Sequence, residues 1–297
     1  MHLKSNLAVT ILYVASLSSN TSRMLPQSIE FRPEKGTQFE YEMNERKEIE
    51  RGRGNFRNSS ISRTATNFKF IYSWNSFERD SGYKSSVDFL SAFQKANDSS
   101  TEDRQSPLNS GKSIFDAFKN CKFELLVDRS GKVQLLGGYA DFKSRFDNLA
   151  TTASQPNDQI PNLFSDQYFL QLFERVSRVL PGHSVAVGAT WTDVVPVTGT
   201  DQLETRVTYT LTSIKEGIAY LRTNYSIDQS IPIQKNEIMK MSGGGDGVIE
   251  LNAKTGELLS SSNSIKAGSV IQVGGLSINL SVKYNIDIVG KQLGTTP

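Results

Sequence analysis

The sequence predicts a mainly antiparallel β fold: a large curved sheet or half-barrel built from two related meanders, with two amphipathic helices inserted between them. Three observations predict it. Residues 121–136 and 247–259 both read as strand, tight turn, strand, and each follows a long alternating region. Several segments place apolar residues at a period of two, which marks strands with one buried face. Between the two hairpins, apolar residues recur instead at helical spacing.

Taken in order, Leu7–Leu17 is a mostly apolar run behind Lys4, with Ser16 and Ser18 as small residues near its end. Residues 1–19 therefore have the layout of a secretory signal peptide. A first buried strand is the alternative. The run is too short to cross a bilayer as a helix, and no other stretch approaches a transmembrane helix. No cysteine follows it, so a lipoprotein anchor at that point is not expected.

Residues 28–138 read as the first β unit. Phe39, Tyr41 and Met43 alternate before the chain turns strongly charged, and the Gly, Arg, Asn, Ser and Thr of 51–66 read as a loop. Phe68, Phe70, Tyr72 and Trp74 then define a strand with an aromatic face. A turn at Asp80-Ser81-Gly82 leads to its partner, Tyr83 to Phe89. The polar stretch 94–113 reads as a long exposed loop. In the hairpin that follows, Asp128 and Gly131 suit the first and last positions of a four-residue turn.

Residues 139–182 form the helical insertion. Tyr139, Phe142, Phe146 and Leu149 make one apolar stripe, and Phe169, Phe173, Val176 and Leu180 make another. Ser165 suits an N-cap, and Pro181-Gly182 stops the second helix. The polar face of that helix mixes Asp166, Gln171, Glu174, Arg175 and Arg178. It is not polybasic, so core packing is preferred to membrane docking.

Residues 183–291 read as the second β unit. Val207, Tyr209 and Leu211 alternate, Lys215-Glu216-Gly217 turns, and Ile218–Ile227 returns to the second hairpin. Asn252 and Gly256 there repeat the turn chemistry of Asp128 and Gly131. Finally, Leu276 to Ile288 alternates over a span of about 43 Å, long for a compact sandwich and suited to a curved sheet.

Composition narrows the function classes. With 33 basic and 31 acidic residues, the formal charge of +2 supplies no global field for nucleic acid or an anionic membrane. The single cysteine, Cys121, precludes an internal disulfide and a Cys-rich zinc site, and beside a strand it reads as a small core residue. The two histidines are His2, within the signal-like segment, and His183, so no metal site and no cofactor is expected. His183 and Ser184 are not a catalytic pair, because neighbours on a strand point to opposite faces. The Ser242–Gly247 glycine cluster lacks the lysine and following helix of a phosphate loop, and reads as a flexible loop or bulge feeding the hairpin. Arg51–Arg57 reads as a solvated hairpin tip rather than a nucleic-acid segment. Five Asn-x-Ser/Thr sequons, at Asn20, Asn58, Asn97, Asn224 and Asn279, are what a Ser- and Asn-rich chain produces by chance.

Several phrases carry a resemblance. They are Lys35–Met43, Leu180-Pro181 leading to Val187–Trp191, Tyr209–Ile214, and Gly247–Leu251 running to Gly256-Glu257-Leu258. In their order, the chain resembles a domain-of-unknown-function family of exported, β-rich Bacteroidetes proteins about 300 residues long. The resemblance implies export and a β-rich fold. It implies no activity and no catalytic residues; Ala189 stands where the family pattern suggests a polar residue.

The expected function is that of an exported envelope protein, periplasmic or extracellular. It would bind an apolar or amphipathic ligand such as a lipid, or an envelope protein partner, without catalysis. The half-barrel of periplasmic lipoprotein carriers is a fold analogy. A carboxylate-based hydrolase of envelope glycans and a structural subunit of a surface assembly are the alternatives. A continuous apolar cavity larger than roughly 300 Å³ would favour ligand binding, and a filled core would sink it. The hydrolase calls for two carboxyl groups facing each other at about 5–10 Å. No residue of the sequence identifies a catalytic or ligand-binding site.

Overall fold

The computed structural model describes residues 28–53, 59–79, 81–98, 114–152, 164–196, 204–234, 237–273 and 276–295. The signal-like segment lies outside the described residues. The first meander comprises β2 (Thr37–Arg53), β3 (Ser59–Glu78), β4 (Gly82–Asp98), β5 (Lys122–Val127) and β6 (Val133–Gly137). The second comprises β8 (Thr190–Pro196), β9 (Glu204–Lys215), β10 (Ile218–Gln234), β11 (Glu237–Asn252) and β12 (Leu258–Val273). The last strand, β13 (Leu276–Thr295), runs between β12 and β2, so that all of them form one 11-stranded antiparallel sheet. The sheet is curved and does not close, leaving β6 and β8 as its edges. A two-residue ladder joins β1 (Ser28–Ile29) to β7 (Val185–Ala186).

Each meander runs in sequence order, and the two predicted hairpins are the fourth and fifth strands of their respective meanders. Their turns are built alike. Asp128 Oδ1 accepts from the Ser130 and Lys132 amides at 2.7 and 3.0 Å. Asn252 Oδ1 accepts from the Lys254 and Thr255 amides at 2.9 and 3.3 Å. Gly131 (φ 79°) and Gly256 (φ 73°) take the left-handed conformation that each turn requires. Both turns close on the segment that leaves the second helix. A Cβ at Gly131 would lie 2.0 Å from the Ser177 carbonyl oxygen, and one at Gly256 would lie 2.9 Å from Leu180 Cδ1.

The helices are α1 (Tyr139–Thr152) and α2 (Asp166–Ser177). Ser165 caps α2, its hydroxyl accepting from the Tyr168 amide at 3.2 Å. The helix ends at Ser177, before Pro181; Leu180 is buried outside the helix. Both apolar stripes pack on the inner face of the first meander. Phe142 and Phe169 from the helices meet at 4.7 Å, Phe123 of β5 meets Phe169 at 4.5 Å, and Phe118 meets Phe142 at 4.8 Å. Phe118 comes from a short 3-10 helix, Ile114–Phe118. Such ring pairs add about 0.5–1.5 kcal/mol each beyond the area they bury.

Three expected loops are corrected. Residues 51–53 and 59–66 belong to β2 and β3, and residues 94–98 belong to β4; 54–58 and 99–113 lie outside the described residues. Their polar composition misled because a ladder needs only backbone pairing, which β13 and β3 supply on either side of β2. Of the Arg51–Arg57 tip, only Arg51–Arg53 is described, and it is strand. The glycine cluster is the third correction. Gly243, Gly245 and Gly247 continue the regular register of β11 against β10 and β12. A Cβ would lie 2.2 Å from the Lys266 carbonyl oxygen at Gly243 and 2.0 Å from the Ser264 carbonyl oxygen at Gly245. Glycine is needed because neighbouring backbone occupies the side-chain space.

Candidate functional site

The two halves of the inner face are filled differently. Over the first meander, α1 and α2 seal the sheet with buried aromatic rings. Over the second, Ser261 and Asn263 of β12 present small polar side chains that border open space. Between α2 and the second meander lies a cavity of about 110 Å³. The space is not filled, but it is below the roughly 300 Å³ that would favour a whole enclosed ligand, because side chains of α2 reach into the half-barrel and occupy part of it.

The spacing of α2 positions its polar side. Gln171, Glu174 and Arg175, followed by Arg178 just past the helix, line the cavity at i, i+3, i+4 and i+7. Phe169, Leu172, Phe173 and Val176 project from the same helix into the buried core. Opposite the polar side stand Val207, Ile249, Ile265, Ile286 and Ile288, with the hydroxyls of Tyr225 and Tyr284 among them.

The charged groups are tied together. Arg175 is ion-paired with Glu45 of β2, donates to the Tyr284 hydroxyl at 2.7 Å, and sits 5.7 Å from that ring's centre. Arg178 pairs with Glu174 at 3.0 Å and with Asp193 of β8 at 2.7 Å. Burial works against the Arg178 charge, but Glu174 and Asp193 more than offset it and hold the guanidinium above its ordinary pKa. Burial pushes the Tyr225 hydroxyl up to about 12, with Thr223 and Arg175 pulling it partly back. Burial raises Tyr209 likewise, so these phenols are neutral hydrogen-bonding groups near pH 7. Thr223 donates to Asn263 at 3.0 Å, and Asn263 donates to Ser261 at 2.6 Å. Gln171 is 7% exposed, and its Oε1 has no hydrogen-bond partner.

The residues weighed from the sequence lie elsewhere. His183 is exposed in a bend and does not line the cavity. Cys121 is 1% exposed, and burial raises its thiol to about 11, which suits a core residue. Among the described residues no three His, Cys, Asp or Glu are grouped to hold a metal ion. No described helix is long and apolar enough to cross a membrane. Sequence reasoning had noted the polar side of α2 without giving it a site. The signal was Glu45, which continues the inward register of Phe39, Tyr41 and Met43 and so puts a carboxylate on a buried face.

A family model described as DUF6263, a family of unknown function, matches residues 83–258, more than half of the chain. The chain belongs to the DUF6263 family. The DUF6263 match takes in both helices and the α2 side of the cavity, and stops short of Ser261, Asn263 and β13. It agrees with the resemblance in assigning a family of unknown function. No curated protein matches. Among solved structures, Pseudomonas aeruginosa OccK7 (OpdD) is similar at 8% identity and a TM-score of 0.22, covering 87% of this chain and 100% of that one. Pseudomonas aeruginosa OpdQ is similar at 7% identity and a TM-score of 0.19, covering 88% and 100%. Likenesses at these scores carry no argument about this chain.

Proposed function

We propose that this protein is a non-enzymatic envelope protein that holds a small apolar or amphipathic ligand between α2 and the second meander. The observation that carries this reading is the unequal filling of one inner face: aromatic packing over the first meander, and open space with an aliphatic wall over the second. A volume of about 110 Å³ is several times what one water needs, and it limits the enclosed part of a ligand to a small group. A carboxylate-based hydrolase fits less well. Glu45, Glu174 and Asp193 are each ion-paired with a guanidinium, whereas a general acid must hold a proton. Export rests on the signal-like layout of residues 1–19, and N-terminal sequencing of the mature protein from its host checks it.

Native mass spectrometry of protein purified from its own host tests the binding reading. A small-molecule adduct is expected on the unaltered chain. It should disappear in Ile286→Trp, which fills the cavity. Absence of any adduct, or an adduct that survives the filling substitution, counts against a ligand at this place.

A further inference from the structure

One cation on the inner face lacks a counter-charge. Phe39, Tyr41, Met43 and Glu45 of β2 are buried, and Lys47 is the next residue on that side of the strand. Lys47 is half-buried. Glu45, Glu174 and Asp193 already have guanidinium partners, so no carboxylate of the cavity is left for it. On the other side of β2, Glu48 pairs with Arg63 and Lys283. Among the described residues Lys47 makes no ion pair and no side-chain hydrogen bond, and neither does Arg51, which follows on the same side. Burial lowers the Lys47 pKa, and the Arg51 charge lowers it further. The ammonium has thus lost water without gaining a carboxylate.

Strand register puts this lysine beside the cavity. Lys47 is paired with Tyr284 of β13, and Tyr284 with Ile265 of β12. Both Tyr284 and Ile265 line the cavity. The apolar wall continues past it, because Ile265 packs with Ile227, Met241 and Leu280 in a second buried cluster. The hydroxyls at hand want acceptors as well. Tyr284 accepts from Arg175 at 2.7 Å and Ser261 accepts from Asn263 at 2.6 Å, and neither donates to a described group. A ligand here must bring acceptors and negative charge at one end and hydrocarbon at the other. An ammonium head would meet Lys47 and Arg51 as like charges, and a neutral head would leave the half-buried ammonium uncompensated. A carboxylate or phosphate head is acceptor-only and supplies the missing counter-charge.

We infer that the half-barrel takes an anionic amphiphile, its carboxylate or phosphate head paired with Lys47 and its hydrocarbon entering the cavity. The inference rests on the ligand-binding reading above and specifies the head group of that ligand. A fatty acid and an alkyl phosphate both offer this chemistry.

Titration of the full chain, followed by NMR chemical shifts, tests it with hexanoate, hexyl phosphate, hexan-1-ol and hexylammonium. The tighter of the two anions should bind about tenfold more strongly than hexan-1-ol, the share of one charge-assisted hydrogen bond, and that anion names the head group. Hexylammonium should bind most weakly. Lys47→Met keeps an apolar stem without the charge; it should remove the preference for the anion and leave hexan-1-ol binding unchanged. Lys47→Arg should retain the preference. Added salt should weaken the anions and not the alcohol, a readout that needs no variant. Alcohol or ammonium binding as tightly as both anions, a preference that survives Lys47→Met, or anion binding indifferent to salt overturns the assignment. So does inorganic phosphate binding as tightly as hexyl phosphate, because the hydrocarbon would then contribute nothing. If hexan-1-ol binds, and Ile286→Trp abolishes it, the cavity reading stands even where the head-group assignment fails. If no probe binds the unaltered chain, both fall.

Discussion

Glu174 Oε1 accepts a hydrogen bond from the Val133 amide at 3.2 Å, joining α2 to the edge strand β6. The other oxygen of Glu174 pairs with Arg178, which reaches Asp193 on β8, the opposite edge. One short stretch of chain thus touches both borders of an open sheet. An uncovered edge invites pairing with another strand, and here a carboxylate takes up one of its amides.

Glu174→Ala should therefore lower stability by about 1–3 kcal/mol, the cost of leaving a buried amide without an acceptor. Glu174→Gln keeps an acceptor for Val133 and should cost less. Urea unfolding midpoints at unchanged slope measure both. Equal midpoints for the two variants would show that the edge contact contributes nothing.

Arg175 and Glu45 are both largely buried, with side-chain exposures of 14% and 10%. Removing one partner leaves a buried charge, so Arg175→Met should cost about 3–5 kcal/mol. Adding Glu45→Gln to it should recover a large part. A double-mutant cycle checks this, and additive losses would argue against a coupled pair.

Glu257 is 2% exposed, and burial pushes its carboxyl up to about 7; Thr255 pulls it partly back and the charge of Glu34 adds to the rise. The folded state therefore holds this proton more tightly than the unfolded chain, whose carboxyl titrates near the ordinary 4.5. The stabilising contribution is complete below about 4.5 and is lost as pH rises through about 7. Its size is on the order of 3 kcal/mol. Glu257→Gln should be more stable than the unaltered chain at pH 8 and lose this pH dependence. Melting temperatures between pH 4 and pH 8 test the sign.

Gly245 and Gly268 separate a required glycine from a permitted one. A Cβ at Gly245 would lie 2.0 Å from the Ser264 carbonyl oxygen and 2.8 Å from Ile265 Cα, whereas at Gly268 the nearest atom is 3.8 Å away. Gly245→Ala should destabilise by about 3 kcal/mol or more, since backbone must move. Gly268→Ala should change stability by less than about 1 kcal/mol. Thermal unfolding of the two variants decides it, and similar losses would refute the packing argument.

Much of the fold was legible because its signals are local. Phe68, Phe70, Tyr72 and Trp74 announce a strand by alternation alone, and all four are buried. Asp128 and Asn252 announce turns because their side chains bond the amides just ahead. Ser59–Thr66 and Gly243–Gly247 were misjudged for the opposite reason. Their conformation is imposed by neighbouring strands distant in sequence, and their composition alone suggests a loop.

The cavity was out of reach for a related reason. Gln171, Glu174, Arg175 and Arg178 look in sequence like the wet side of an amphipathic helix. They are enclosed because Glu45, Asp193 and Tyr284, each far along the chain, meet them with compensating groups. Periodicity and turn chemistry, which depend on residues a few positions apart, were sufficient for two meanders, two helices and their order. Where β13 would insert, which face α2 would bury, and where the half-barrel would stay unfilled depend on contacts between distant segments. Those were decided only when the last strand paired with the first long one and the polar side of α2 came down on the second meander.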